Sequence, residues 1–210
     1  VRVSELGEFG LIADLARRVP GAGAALLVGI GDDAAVWRPE GLVLATTDTL
    51  VQDVHFRRRY TAWPDLGWKA LAVNVSDIAA MGGHPRYALV TLGLPAETAV
   101  EDLRALYDGL AAAAERYGVV VAGGDIVRAP VAFVTVALYG EAPAADRLLR
   151  RDAARSGDLV AVTGTLGASA AGLAALSADL PLPAAALAAL RAAHLRPEPR
   201  VAEAQVLVAA

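Results

Sequence analysis

Acidic residues at three strand ends carry the first chemical signal in the chain. Gly31-Asp32-Asp33 follows the apolar run 26–30, Asp48 closes the run Leu42 to Thr47, and Gly123-Gly124-Asp125 follows Val119 to Ala122. Ligand sites in α/β sheets gather on loops at such ends, and glycines beside the acids allow close backbone approach. A further acid, Asp77, sits within Ala70 to Met81, a stretch apolar nearly all round that reads as a buried helix. A buried carboxylate needs a partner, hydrogen bonds or a metal. Lys69 lies two turns away and Asn74 one turn away, on the same face. If Asp32, Asp33, Asp48, Asp77 and Asp125 converge, cations must offset their repulsion. An all-oxygen donor set selects a hard ion, Mg²⁺ first. Mg²⁺ keeps waters and bridges to phosphates, which points to a nucleotide-phosphate site. The plainer alternative is turn chemistry for each Gly-Asp and a backbone-satisfied Asp77. Spacing alone leaves both open.

Other chemistries are excluded or unsupported. The chain of 210 residues has no cysteine, which removes disulfides, thiolate metal sites and cysteine nucleophiles. It carries no P-loop and no kinase-type His-Arg-Asp loop. Gly164-Thr165-Leu166-Gly167 before a helix either presents amides to an anion or simply turns a strand into a helix. His55, His84 and His194 share no metal spacing, and strand alternation in Val54-His55-Phe56 would turn His55 away from its apolar neighbours. With 19 basic against 23 acidic residues there is no basic excess, so nucleic acid is not an expected partner. Hydrophobic residues make up 56% and charged residues 20%, a balance for a packed core rather than for disorder. The N-terminus shows no signal-peptide core. The uncharged stretch from Leu159 to Ala178 reads as strand, glycine turn and small-residue helix, not as a membrane span. A cytoplasmic location is the expectation.

The elements that must position these acids follow from periodicity. Helices are expected over Glu8 to Val19 (ended by Pro20-Gly21-Ala22-Gly23), from an N-cap at Asp65 to Met81, and over Thr98 to Tyr117 with Gly118 as C-cap. Leu103, Leu106, Leu110, Ala113 and Tyr117 make the apolar face of the last. Further strands are expected over Tyr87 to Leu94, Val131 to Tyr139 and Leu159 to Val162. Helices follow near 168–177, 184–194 and 200–210. This order predicts an α+β fold with helices on one face of the sheet, close to a split βαβ arrangement. The polar stretch 141–157 marks a boundary between a unit at 1–145 and the start of a second α/β unit at 146–210.

Read together, Glu5-Leu6-Gly7-Glu8-Phe9-Gly10-Leu11-Ile12, Gly29-Ile30-Gly31-Asp32-Asp33, Thr46-Thr47-Asp48, Val54-His55-Phe56, the run from Gly67 to Gly83, Gly123-Gly124-Asp125, Val162 to Gly167 and His194-Leu195-Arg196-Pro197 resemble the thiamine-monophosphate kinase family, within the aminoimidazole ribonucleotide synthetase superfamily. The resemblance implies ATP-dependent phosphorylation of thiamine monophosphate to thiamine diphosphate by a Mg²⁺-dependent homodimer whose N-terminal sheets join into a barrel. It places Asp33, Thr47, Asp48, Asp77 and Asp125 at several metal ions, with Asp32 adjoining. Tyr107, Gly124, Asp125 and Arg151 fall at ATP and His55 at the thiamine substrate. Ala153 stands where the family pattern has glycine. The chain stops at Ala210, before the family's Asp-x-Ser-Asp-Gly-Leu motif, so this form is expected to dimerise and to turn over slowly if at all. The alternatives are another ATP-dependent enzyme of the superfamily and a non-catalytic dimerisation or metal-binding module.

Overall fold

A computed structural model describes residues 1–19 and 25–209. The path runs through α1 (Val3–Leu6), α2 (Glu8–Ala16), β1 (Leu26–Val28), β2 (Val36–Trp37), β3 (Leu42–Val51), α3 (Trp63–Ala80) and β4 (His84–Leu94). It continues through α4 (Val100–Tyr117), β5 (Val120–Arg128), β6 (Phe133–Ala142), a 3-10 turn at Ala145–Arg147, α5 (Ala168–Ser177), α6 (Ala184–Leu195) and α7 (Val201–Ala209). The expected helix stop at Pro20 to Gly23 lies outside the described residues.

The main sheet has the order β3-β6-β4-β5. β6 is antiparallel to both β3 and β4, while β4 and β5 are parallel. β3–α3–β4 is therefore a βαβ unit split by β6, and β4–α4–β5 is a direct one. The expected α+β class and helices on one face are observed.

Each helix shows why it forms and where it stops. In α4, Leu103, Leu106, Leu110 and Ala113 are fully buried at spacings of three and four. Gly118, left-handed at φ 68°, ends the helix as expected. α3 begins three residues earlier than predicted, with Ala62 rather than Asp65 as N-cap and Pro64 in the first turn. Proline's fixed φ suits that position, which leaves Asp65 inside the helix. α3 and α4 cross backbone to backbone: a Cβ on Gly109 would stand 1.8 Å from the Pro64 carbonyl oxygen, and one on Gly67 1.9 Å from that of Leu106. The core between helices and sheet holds Leu66, Leu71, Val75, Leu106, Leu110, Val90, Leu92, Val136 and Leu138. Each such side chain contributes about 1.5–3 kcal/mol as an upper estimate.

Three strand expectations need correction, and one short strand was not foreseen. β3 runs past Asp48 to Val51, and β5 runs past Asp125 to Arg128. Unbroken pairing of Asp48 with Val136 and of Asp125 with Thr91 overrides the local turn signals. Asp48 and Asp125 are thus mid-strand residues, not strand-end residues. β2 is too short to show in the sequence. No strand forms at Leu159 to Val162; Leu159 and Val160 are almost fully exposed. A strand is stable only in a ladder, and no described strand lies beside this run.

The C-terminal helices dock on α3. The Trp68 indole N–H donates to the Pro197 carbonyl at 2.8 Å, and the Arg196 guanidinium lies 4.6 Å above the Trp68 ring. Lys69 Nζ stands 3.4 Å from His194 Nε2. Burial, then the Lys69 charge, push the His194 imidazole below its usual range. No helix among the described residues is long and apolar enough to cross a membrane.

Candidate functional site

Strand alternation sorts the acids. Leu44, Thr46, Asp48 and Leu50 face α3, and Thr46 Oγ1 donates to Asp77 Oδ2 at 2.8 Å. Asp77 is not buried: Val73, Ser76, Asp77 and Ala80 form a stripe along α3 that opens on a cavity of about 450 Å³. Its expected partners are engaged elsewhere. Asn74 is fully buried and donates to the Ala70 carbonyl of its own helix, while Lys69 meets His194. Asp48 opens on the same cavity, together with Thr163, Glu198, Arg200 and Glu203.

Partial burial, and then the Asp77 charge, hold the Asp48 carboxyl above the usual carboxylate range; His55 opposes them. Among the described residues neither Asp48 nor Asp77 forms a salt bridge. A raised folded-state pKa means that the native chain holds the Asp48 proton more tightly than the unfolded chain. Stability from this group is present below the ordinary value of 3.8 and is lost as pH rises through the higher folded value. Asp48→Asn should remove this contribution, so that the wild-type melting temperature, relative to that of the variant, falls over that window. A constant difference between wild type and variant across the window would contradict a raised Asp48 carboxyl.

A second cavity, of about 830 Å³, wraps the β5 edge of the sheet. Asp32, Asp33, Tyr107, Gly124 and Asp125 line it with Trp37 and Tyr139. Thr49, Thr135, Thr91 and Asp125 stand in one row across the helix-free face, with Thr49 and Thr135 hydroxyls 2.9 Å apart. Trp37 stacks on Tyr87 and lies 5.2 Å from Tyr139 on this face. Tyr107 is both core and lining; burial pushes its hydroxyl up to about 12. At Gly124 the backbones approach so closely that an added Cβ would fall 1.9 Å from the Val90 carbonyl oxygen.

The five acids therefore do not gather in one cluster. Among the described residues no group of three or more histidine or acidic side chains is placed to hold a metal. Asp48 and Asp77 form one pair, and Asp32, Asp33 and Asp125 surround the other cavity. Thr47 lies on the face opposite Asp48, and its neighbour Thr46 makes the contact to Asp77. Arg151 lines neither cavity, while Arg150 is tied to Asp152 at 2.7 Å. His55 sits in the turn after β3, where its Nδ1 accepts the Val51 N–H at 3.1 Å. That bond fixes the neutral ring as the Nε2–H tautomer, with a donor free to face a ligand. Two carboxylates and a hydroxyl, with neither acid in a salt bridge among the described residues, fit Mg²⁺, which typically takes one or two carboxylates and completes its shell with water and phosphate.

The order of these motifs along the sheet is matched by a family model, AIR synthase related protein, N-terminal domain, over residues 31–142, more than half of the chain. The chain belongs to the AIR synthase related family. Within it, the chain is 42% identical over 203 residues to a thiamine-monophosphate kinase of Aquifex aeolicus, covering 96% of this chain and 63% of that protein. The crystal structure of thiamine-monophosphate kinase from Stenotrophomonas maltophilia superposes with a TM-score of 0.83 at 37% identity, over 97% of this chain and 65% of that one. AaThiL complexed with AMPPCP and TMP superposes with a TM-score of 0.74 at 39% identity, over 99% and 64%. This family member thus spans less than two thirds of the length of the relatives it matches.

Thr163, Glu198, Arg200 and Glu203 escaped sequence reasoning. Thr163 stands within the Val162 to Gly167 string and Glu198 and Arg200 within Pro-x-Pro-Arg at 197–200, but neither string points to this cavity until the chain folds back onto α3.

Proposed function

We propose that this chain serves ATP-dependent phosphorylation of thiamine monophosphate to thiamine diphosphate. The observation that carries the reading is the pair Asp48 and Asp77, in no salt bridge among the described residues, opening on a cavity in a chain so similar to thiamine-monophosphate kinases. Asp48 and Asp77, with Thr46, would hold Mg²⁺ on the helix side, and Asp32, Asp33 and Asp125 would do so at the second cavity. Mg²⁺ bound there would supply charge neutralisation between two anionic phosphate groups. Gly124 admits the nucleotide close to β5, beside Tyr107. An oxygen of the acceptor phosphate attacks the γ-phosphorus in line and ADP leaves. That oxygen is already ionised at pH 7, so no general base is required. His55 donates its Nε2–H to the acceptor substrate.

The helix-free sheet face supports pairing of two copies into a barrel, because Val43 and Val127 remain well exposed on it. Residues 1–145 would form the nucleotide-binding and dimerisation unit and 146–210 part of a second one, in the cytoplasm.

Calorimetric titration tests the assignment of His55. His55→Ala should weaken thiamine monophosphate binding roughly ten- to hundredfold, the effect of one hydrogen bond to a charged group, and leave AMPPCP binding unchanged. Weaker AMPPCP binding with unchanged thiamine monophosphate binding contradicts it. A wild-type chain that binds neither contradicts the function itself.

A further inference from the structure

We propose that Arg200 is a phosphate-binding residue of the Asp48–Asp77 cavity, a role that rests on the phosphoryl-transfer reading. Among the described residues Arg200 is the only cationic side chain lining that cavity, against the carboxylates of Asp48, Asp77, Glu198 and Glu203. Asp48 and Asp77 would hold a metal ion that offsets phosphate charge, and such a phosphate would still present oxygens on the side of Arg200. A guanidinium meets such oxygens with two parallel donors.

The chain fixes Arg200 at this place through contacts on both sides. Upstream, Pro197 is held by the Trp68 indole, and Arg196 lies over that ring and 3.8 Å from Asp65. Downstream, Gln205 Nε2 donates to the Gly82 and Gly83 carbonyls at 3.1 and 3.2 Å, which pins α7. Arg200 precedes α7 and its carbonyl accepts the Ala204 N–H. Its Nη1 pairs with Glu203 at 3.1 Å. Its Nη2 has no carboxylate partner among the described residues and faces Gly164, where an added methyl would come within 3.0 Å. The side chain is 53% exposed, and an exposed pair three residues apart contributes little to stability. The Glu203 pair alone gives little reason for an arginine here; a ligand phosphate bound by Arg200 would give one, and would join the β3–α3 acids to the C-terminal helices.

The test is a titration of wild type, Arg200→Gln and Arg200→Lys with AMPPCP and with thiamine monophosphate, in Mg²⁺, beside a Mn²⁺ titration without phosphate. Arg200→Gln should weaken one of the two ligands roughly ten- to hundredfold. The ligand affected identifies whether the nucleotide or the acceptor supplies the phosphate. Arg200→Lys should recover part of the loss, because charge remains while the planar fork is gone. Mn²⁺ affinity and melting temperature should stay at wild-type values. Wild-type affinity of Arg200→Gln for both ligands overturns the proposal. So does a loss matched by lower Mn²⁺ affinity or a lower melting temperature, since that is a structural role. A wild-type chain that binds neither ligand overturns the phosphoryl-transfer reading, and this proposal with it.

Discussion

Asp77→Asn should weaken Mg²⁺-dependent binding of AMPPCP at least about a hundredfold, because several kcal/mol of charge stabilisation goes with the ion. The amide keeps the shape of the side chain, and its oxygen still accepts the Thr46 hydroxyl that now reaches Asp77 Oδ2 at 2.8 Å. The fold should therefore survive. Removing the Asp77 charge also relieves Asp48, whose carboxyl it helps to hold above the usual range. The melting temperature of the ligand-free variant should equal or exceed that of wild type. Calorimetric titrations with and without Mg²⁺, beside a melting scan, read all of this. Wild-type affinity in the variant would return Asp77 to the status of an exposed helix acid with a local hydrogen bond.

Gly124→Ala should destabilise the chain by about 3 kcal/mol or more, at the upper end of overpacking effects, and so lower the melting temperature by roughly 6–12 °C. Its Cβ would fall 1.9 Å from the Val90 carbonyl oxygen and 2.8 Å from the carbonyl carbon. Both belong to the ladder that joins β4 to β5, and neither can swing away. Gly123→Ala is the control. Its Cβ would meet only Leu89 Cδ2, at 3.3 Å, the tip of a flexible side chain. The cost there should stay below about 1.5 kcal/mol, within the range of well-tolerated core changes. Equal destabilisation by the two variants would mean that the close approach at Gly124 does not constrain the ladder.

Periodicity exposed what depends on local pattern. Leu103, Leu106, Leu110 and Ala113 declared α4 because the spacing of a helix face is built into the chain. Gly118 declared its end. Strand ends were hidden, because Asp48 and Asp125 look like turn residues until their partners on β6 and β4 are known. Asp77 was misplaced for a related reason. A helix that is apolar nearly all round has no periodic contrast, so the stripe of Val73, Ser76, Asp77 and Ala80 could not be told from the core side. The failed strand at Leu159 to Val162 shows the converse: a good strand sequence remains irregular where no ladder receives it. The candidate site was legible as a set of acids, while their division between two cavities came only from alternation along β3 and the register of β5. Arg200 was not legible at all, since its place depends on the contact between Trp68 and Pro197, 129 residues apart.

The central claim, that these carboxylates form a Mg²⁺-dependent phosphate site, is tested most directly by the melting temperature of the chain with AMPPCP, with and without Mg²⁺. AMPPCP at a hundred times its dissociation constant should stabilise the chain by about 2.7 kcal/mol, and only when Mg²⁺ is present. No stabilisation in Mg²⁺, or the same stabilisation after Mg²⁺ is chelated, would contradict it.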